Sequence, residues 1–189
     1  MSQPLADQLR PNSLEGFVGQ GHLVGENTPL RRFIDRGVIP PSMVFWGPPG
    51  TGKTTLARII SNETDSAFVE LSAVNASKDD LRSVVNKTRL VQEDILLFLD
   101  EIHRFHKGQQ DFLLPHVEDG TIHLIGATTE NPSFEVNNAL LSRSHMYKFN
   151  AMSNESLRRL LRRAKEEHDL TVSDEAAAVL VDRADGDAR

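Results

Sequence analysis

The sequence predicts a doubly wound α/β fold, a parallel sheet built on a phosphate-binding loop, followed by the start of a small α-helical lid domain. Three observations predict it. Gly47-Pro48-Pro49-Gly50-Thr51-Gly52-Lys53-Thr54 matches the P-loop pattern G-x-x-x-x-G-K-[ST] and lies between an apolar run and a helical pattern. Ile95–Leu99 is five consecutive apolar residues, the mark of a strand buried on both faces of a parallel sheet. From Ser42 onward strand and helix patterns alternate, which implies right-handed βαβ crossovers.

Each element has its own local reason. Residues 1–27 are rich in Pro, Gly and Asn and are expected to wrap across the core rather than form it. Pro29 to Arg36 reads as a short helix closed by Gly37, and Met43–Trp46 as a buried strand entering the P-loop. Thr55–Ile60 reads as the helix leaving the loop, and Ala67–Leu71 as the next strand. Ser77, with Asp80 three residues on, opens a helix through a short-armed capping box. Thr121–Ala127 and Met146–Phe149 complete the strand set, so residues 28–150 are expected to be the α/β core. After Asn150 the texture becomes helical. Ser153 caps a helix with Leu157, Leu160, Leu161 and Ala164 in one stripe, and Ser173 caps another with Ala176, Ala177, Leu180, Val181 and Ala184 expected inward. Residues 151–189 are expected to be the beginning of a lid domain, and the chain to be a piece of a longer protein.

The bulk numbers fit an ordinary soluble domain, with 39% hydrophobic and 25% charged residues over 189 positions. No apolar run reaches the ~20 residues needed to cross a bilayer, and Met1–Pro4 begins no secretory signal. Cysteine is absent, which excludes disulfides and thiolate metal sites and fits a reducing cytoplasm. A net charge of −6 argues against a generally basic nucleic-acid coat, so any such contact is expected to be local.

The P-loop fixes the chemistry as nucleoside triphosphate handling. Glycines stand where the backbone must curl around an anion, since a Cβ would block both the positive φ and the close approach. The loop N–H groups and the following helix N-terminus form an anion site. Candidate nucleotide contacts are Gly47, Pro48, Pro49, Gly50, Thr51, Gly52, Lys53, Thr54 and Thr55. Lys53 is expected to reach the β- and γ-phosphates, and the Thr54 hydroxyl to ligate Mg²⁺. Asp100 ends the buried strand, where open α/β sheets bind ligands, and suits Mg²⁺ held largely through water. Glu101 is placed to polarise the attacking water. Thr128-Thr129 ends the following strand, where a hydroxyl can orient that water or serve only the strand end. Arg143 reads either as a charge-neutralising arginine or as a surface salt-bridge residue.

In this order and spacing, these residues resemble the clamp-loader branch of the AAA+ ATPases. Further stretches are Asp100-Glu101-Ile102-His103-Arg104-Phe105, Leu114-Pro115-His116-Val117-Glu118 and Gly126-Ala127-Thr128-Thr129-Glu130-Asn131-Pro132-Ser133-Phe134-Glu135. They resemble the replication-associated recombination ATPases, the RarA or MgsA family, whose eukaryotic relative is the Werner helicase-interacting protein. Pro4-Leu5-Ala6, Arg10-Pro11 and Val18-Gly19-Gln20 fit the same pattern. The resemblance implies an ATPase that uses ATP and Mg²⁺, works as a homo-oligomer and acts in DNA replication, recombination and repair at stalled forks. It implies DNA partners (single-stranded gaps, ends or forks), contact with single-strand binding protein or replisome components, and a cytoplasmic, nucleoid-associated or nuclear location. It further implies Thr129 as sensor 1, Arg143 as an arginine finger acting on a neighbouring subunit, Arg189 as the sensor 2 arginine, and Val18 and Gly19 against adenine. The chain departs from the family pattern at His106, at Ser144-His145 and in a short Leu81–Asp94 segment without a basic cluster.

Other readings stay in view. A clamp-loader subunit and a branch-migration motor of the RuvB kind share the ATPase parts, but the Glu130–Glu135 run is not expected in either. A nucleotide-sensing scaffold without turnover is the rival of another class, and intact Lys53, Asp100, Glu101 and Arg143 speak against it. His103, His106 and His116 with Asp111 lack the spacing of a tetrahedral metal site. Arg104 and Lys107 face either phosphates in a channel or solvent. Arg158, Arg159, Arg162, Arg163 and Lys165 read more readily as a solvated face than as a DNA patch.

Overall fold

The five strands lie in one parallel sheet of order β2-β3-β4-β1-β5. The architecture comes from a computed structural model describing residues 4–91 and 94–189. Met1 to Gln3, the start of the segment read for a secretory signal, and Gln92-Glu93 within the Leu81–Asp94 segment lie outside the described residues. In chain order the elements are α1 (Leu5–Gln8), α2 (Gly21–Val24), α3 (Pro29–Asp35), β1 (Met43–Trp46), α4 (Lys53–Glu63), β2 (Ala67–Ser72), α5 (Lys78–Val91) and β3 (Ile95–Asp100). There follow α6 (Lys107–Glu118), β4 (His123–Thr128), α7 (Pro132–Glu135), α8 (Asn138–Leu141), β5 (His145–Lys148), α9 (Asn154–Glu167) and α10 (Asp174–Ala184).

The alternation of β3 explains why it is apolar throughout. Leu96 and Phe98 enter a core with Phe45, Leu56, Ile60, Ile125 and Phe149, while Ile95, Leu97 and Leu99 enter the opposite core with Leu81, Val85, Leu113 and Leu124. Burying both faces makes the strand a continuous hydrophobic run. Consecutive residues therefore serve different layers of helices, and the strand's carboxyl end is held rigidly from both sides.

Glycine has a packing role in two places. A Cβ at Gly47 would stand 2.2 Å from the carbonyl oxygen of Phe149, so only glycine lets β1 turn into the loop beside the end of β5. In β4 a Cβ at Gly126 would stand 2.7 Å from Cδ1 of Ile102, so the glycine admits the turn that follows β3.

The helical tail differs from the expected stripe. In α9, Leu157 and Ala164 are buried, with Leu160 and Leu161 half-buried. In α10, Val181 is buried and Ala177 and Ala184 are half-buried, but Ala176 is exposed and Leu180 is 53% exposed. The reason is that α10 meets α9 and Met152 along a narrow seam, with Val18 and Ala188 at its edge, too thin to cover a full apolar stripe.

Candidate functional site

The P-loop, Asp100-Glu101 and Thr129 follow β1, β3 and β4 at the carboxyl edge of the sheet, whereas Arg143 precedes β5 at the amino edge. β1 runs into the P-loop, whose Gly50 and Gly52 have φ of +64° and +97°, angles at which a side chain is strained. Helix α4 then starts at Lys53, two residues before the expected start, so the loop and the first helical turn are continuous. Thr51 closes the loop by donating to Pro48 O at 2.9 Å. Lys53 Nζ donates to Gly47 O at 2.8 Å and Pro48 O at 2.7 Å. Burial holds this amine below the usual lysine range, opposed by the carboxylates of Glu101 and Asp100.

Asp100 is the last residue of β3, and Glu101 takes a left-handed conformation with φ of +55° and ψ of +46°. A non-glycine residue there stores strain on the order of 1–3 kcal/mol, held by the packing around it. The Glu101 N–H donates to Asp100 Oδ1 at 3.1 Å. Burial, and then the neighbouring Glu101 charge, push the Asp100 carboxyl above the usual carboxylate range. Two adjacent carboxylates under that stress are suited to a cation, which fits the expected Mg²⁺.

A cleft of about 320 Å³ joins these parts. Its phosphate end is lined by Pro49 to Thr55, Asp100, Glu101, Thr129 and Arg189. The same cleft is also lined by the apolar side chains of Leu9, Pro11, Phe17, Val18, Met152 and Leu160, with Arg10, Glu70 and Arg163 among them, and the Phe17 ring lies against Gly52 of the P-loop. Of the expected contacts, Gly19, Gly47, Pro48 and Arg143 do not line the cleft, although Gly47 and Pro48 hold Lys53 through their carbonyls. Arg143 is exposed, with Nε 2.5 Å from Glu118 Oε1 and Nη1 on Ala139 O and Ser142 Oγ. Thr129 faces the cleft, while Thr128 is buried and bonded internally. Arg189 is bonded to the Asp187 carboxylate, Nη2 to Oδ2 at 2.7 Å, and these bonds hold the Asp187 carboxyl below its usual range.

Four residues were missed in the sequence. Buried Gln20 donates to Asn150 O at 2.8 Å and Thr51 O at 3.3 Å, and accepts from Asn150 N at 3.0 Å, so it ties the P-loop to the end of β5. Its place after Val18-Gly19 was the one available clue. Arg163 departs from the solvated face assigned to it: its guanidinium donates to Gly16 O at 2.9 Å and to Leu9 O, fastening the N-terminal segment to α9. The carboxylate of Asp187 lies where a Cβ on Gly50 would stand. His103 contacts both Thr128 and Glu101. Among the described residues, no group of three or more His, Cys, Asp or Glu side chains could hold a metal ion by itself, and no helix is long and apolar enough to cross a membrane.

Comparison with known proteins gives the same picture. The family described as Holliday junction DNA helicase RuvB P-loop domain matches residues 9–142. Replication-associated recombination protein A of Haemophilus influenzae is 46% identical over 98% of this chain and 44% of its own length. The protein of the same name from Escherichia coli K12 is 43% identical over 99% of this chain, again 44% of its own length. The chain thus spans under half the length of these relatives. Among solved structures, the Thermotoga maritima RuvB Holliday junction branch migration motor superposes with a TM-score of 0.81 at 31% identity, covering 96% of this chain and 62% of that one. With its parallel sheet, P-loop and strand-end carboxylates, the chain belongs to the RuvB P-loop domain family of AAA+ ATPases and is similar over almost its whole length to replication-associated recombination protein A.

Proposed function

We propose that the chain binds ATP with Mg²⁺ and hydrolyses it between subunits of a homo-oligomer that acts on DNA at stalled or broken replication forks. The observation that carries the reading is the single cleft shared by the P-loop, Asp100, Glu101, Thr129 and Arg189. Lys53 leaves its two loop carbonyls for the β- and γ-phosphates, and the loop N–H groups hold the remaining phosphate oxygens. Thr54 and Asp100 would hold Mg²⁺, Asp100 largely through water, and the ion would supply positive charge to offset that of the phosphate oxygens. Glu101 takes a proton from the attacking water, Thr129 orients that water, and Arg189 swings from Asp187 to the γ-phosphate. Val18, beside Phe17, supports the base. Arg143 reaches a neighbour's cleft, a role supported by its exposure away from its own. The DNA role is supported by the relatives' names, which speak of replication and recombination; contact with single-strand binding protein or the replisome, and a cytoplasmic or nucleoid location, extend that reading by family resemblance.

The experiment is Glu101→Gln. Calorimetry is expected to show ATP binding retained while hydrolysis falls by about 10²–10⁴. An equal loss of binding and turnover would make Glu101 a metal-holding or structural residue instead. The RuvB superposition favours a second reading, a branch-migration motor. Movement of four-way junctions by the purified protein, with no ATPase response to gapped or forked DNA, is the outcome that would favour it.

A further inference from the structure

We propose that His103 is the positioning residue for Glu101: its Nδ1–H, anchored by the Thr128 hydroxyl, holds the carboxylate in place at the end of β3. The proposal rests on the reading of Glu101 as the group that acts on the attacking water.

His103 Nδ1 lies 2.8 Å from Thr128 Oγ1 and 3.2 Å from Glu101 Oε2. That carboxylate oxygen is buried and has no hydrogen-bond partner, so the His103 nitrogen at 3.2 Å is a close polar contact against an otherwise unpartnered oxygen. The His103 side chain is 10% exposed and Thr128 is 1% exposed, while Glu101, 33% exposed, turns one carboxylate oxygen inward to them and lines the cleft. A bare nitrogen lone pair facing a carboxylate oxygen at this distance would set two acceptors against each other. A proton on Nδ1 makes the same contact attractive and leaves it shared between Glu101 and Thr128. Thr128 has room to accept it, since its oxygen takes one further bond, from Glu130 N–H at 3.0 Å.

The backbone makes the arrangement stiff. Glu101 turns left-handed, residues Ile102–Arg104 form a single 3₁₀ turn, and Ile102 seats against Gly126 of β4. His103 thereby ties Glu101 to the strand end that carries Thr129 into the cleft.

The test uses three variants and single-turnover hydrolysis with protein in excess over ATP. The amide nitrogen of Asn stands where Nδ1 stands, and that of Gln where Nε2 stands. His103→Ala and His103→Gln are expected to slow the chemical step about 10–100-fold, the range that follows from losing a charge-assisted polar contact that holds Glu101 in place. ATP affinity by calorimetry should stay unchanged, and His103→Asn should recover most of the rate. Equal loss in all three variants, no loss in any, or a parallel fall in affinity would overturn the proposal. Imidazole ¹⁵N spectra of the nucleotide-free chain at about pH 8, with His103 assigned by its absence in His103→Asn, should show the Nδ1–H tautomer. An Nε2–H tautomer would overturn it equally. Glu101→Gln in parallel separates the two claims. If it leaves the rate intact, the base reading fails and the proposal fails with it; if it abolishes turnover while His103→Ala does not, the proposal alone fails.

Discussion

The ammonium of Lys53 is bonded to the carbonyl of Gly47, six residues before it, at 2.8 Å, so the P-loop is closed around its own lysine. This bond, with its companion on Pro48, keeps a buried cation solvated by the loop until an anion replaces the carbonyls.

Lys53→Ala removes the charge and leaves the loop carbonyls unpaired. A contact between a charged donor and a phosphate is worth roughly 1.5–3 kcal/mol, so ATP affinity should fall at least about tenfold by titration calorimetry. Because burial lowers the lysine's pKa, the wild-type affinity should also weaken with rising pH before an ordinary lysine would lose its proton. Unchanged affinity in Lys53→Ala would remove Lys53 from the phosphate site.

Asp100 carries the opposite kind of stress. Its pKa is raised above 3.8, chiefly by burial and then by Glu101, so the folded state holds that proton more tightly than the unfolded state does. Stability is therefore lost as pH rises from the ordinary carboxylate value through the raised one, and the cost persists at neutral pH. Asp100→Asn keeps the acceptor for the Glu101 N–H while removing the charge. The nucleotide-free variant is expected to melt higher than wild type near pH 7, by roughly 2–4 °C for each kcal/mol relieved, with the gap closing near pH 4. Scanning calorimetry with Mg²⁺ and ATP should show the reverse order, because the variant loses the ion's carboxylate. A lower Tm without nucleotide would contradict the assignment of strain.

These opposed stresses bear on how much the sequence could disclose. The P-loop, the apolar β3 run and the Asp100-Glu101 pair were legible because each is a local pattern whose spacing is set by backbone geometry. β4 ends one residue later than the reading Thr121–Ala127 placed it, at Thr128, and β5 starts one residue earlier than Met146, because pairing with β1 rather than propensity sets both limits. Gln20 and Arg163 were not legible. Their partners lie 130 and 147 residues away, and nothing local distinguishes a tethering arginine from its solvated neighbours. Leu180 misled for a related reason: its helical spacing is correct, but the described residues provide no surface against it.

Arg143 supplies the last expectation. Its guanidinium is held by Glu118 on the exterior, 42% exposed, and is not part of the cleft that contains its own Lys53. Acting on a neighbour's phosphate, it should accelerate hydrolysis about 10³–10⁵-fold, as arginine fingers do. Arg143→Ala should then bind ATP normally and hydrolyse it at the rate of an unassembled chain. Assemblies mixed from Arg143→Ala and Lys53→Ala chains should regain part of the wild-type rate, since an intact finger then faces an intact P-loop at some interfaces. Subunit exchange is verified by energy transfer between labelled chains, and phosphate release is followed as the ratio of the two is varied. Recovery that peaks at intermediate ratios is the expected result. A mixture that exchanges subunits yet stays as slow as either parent would return Arg143 to a surface ion pair with Glu118.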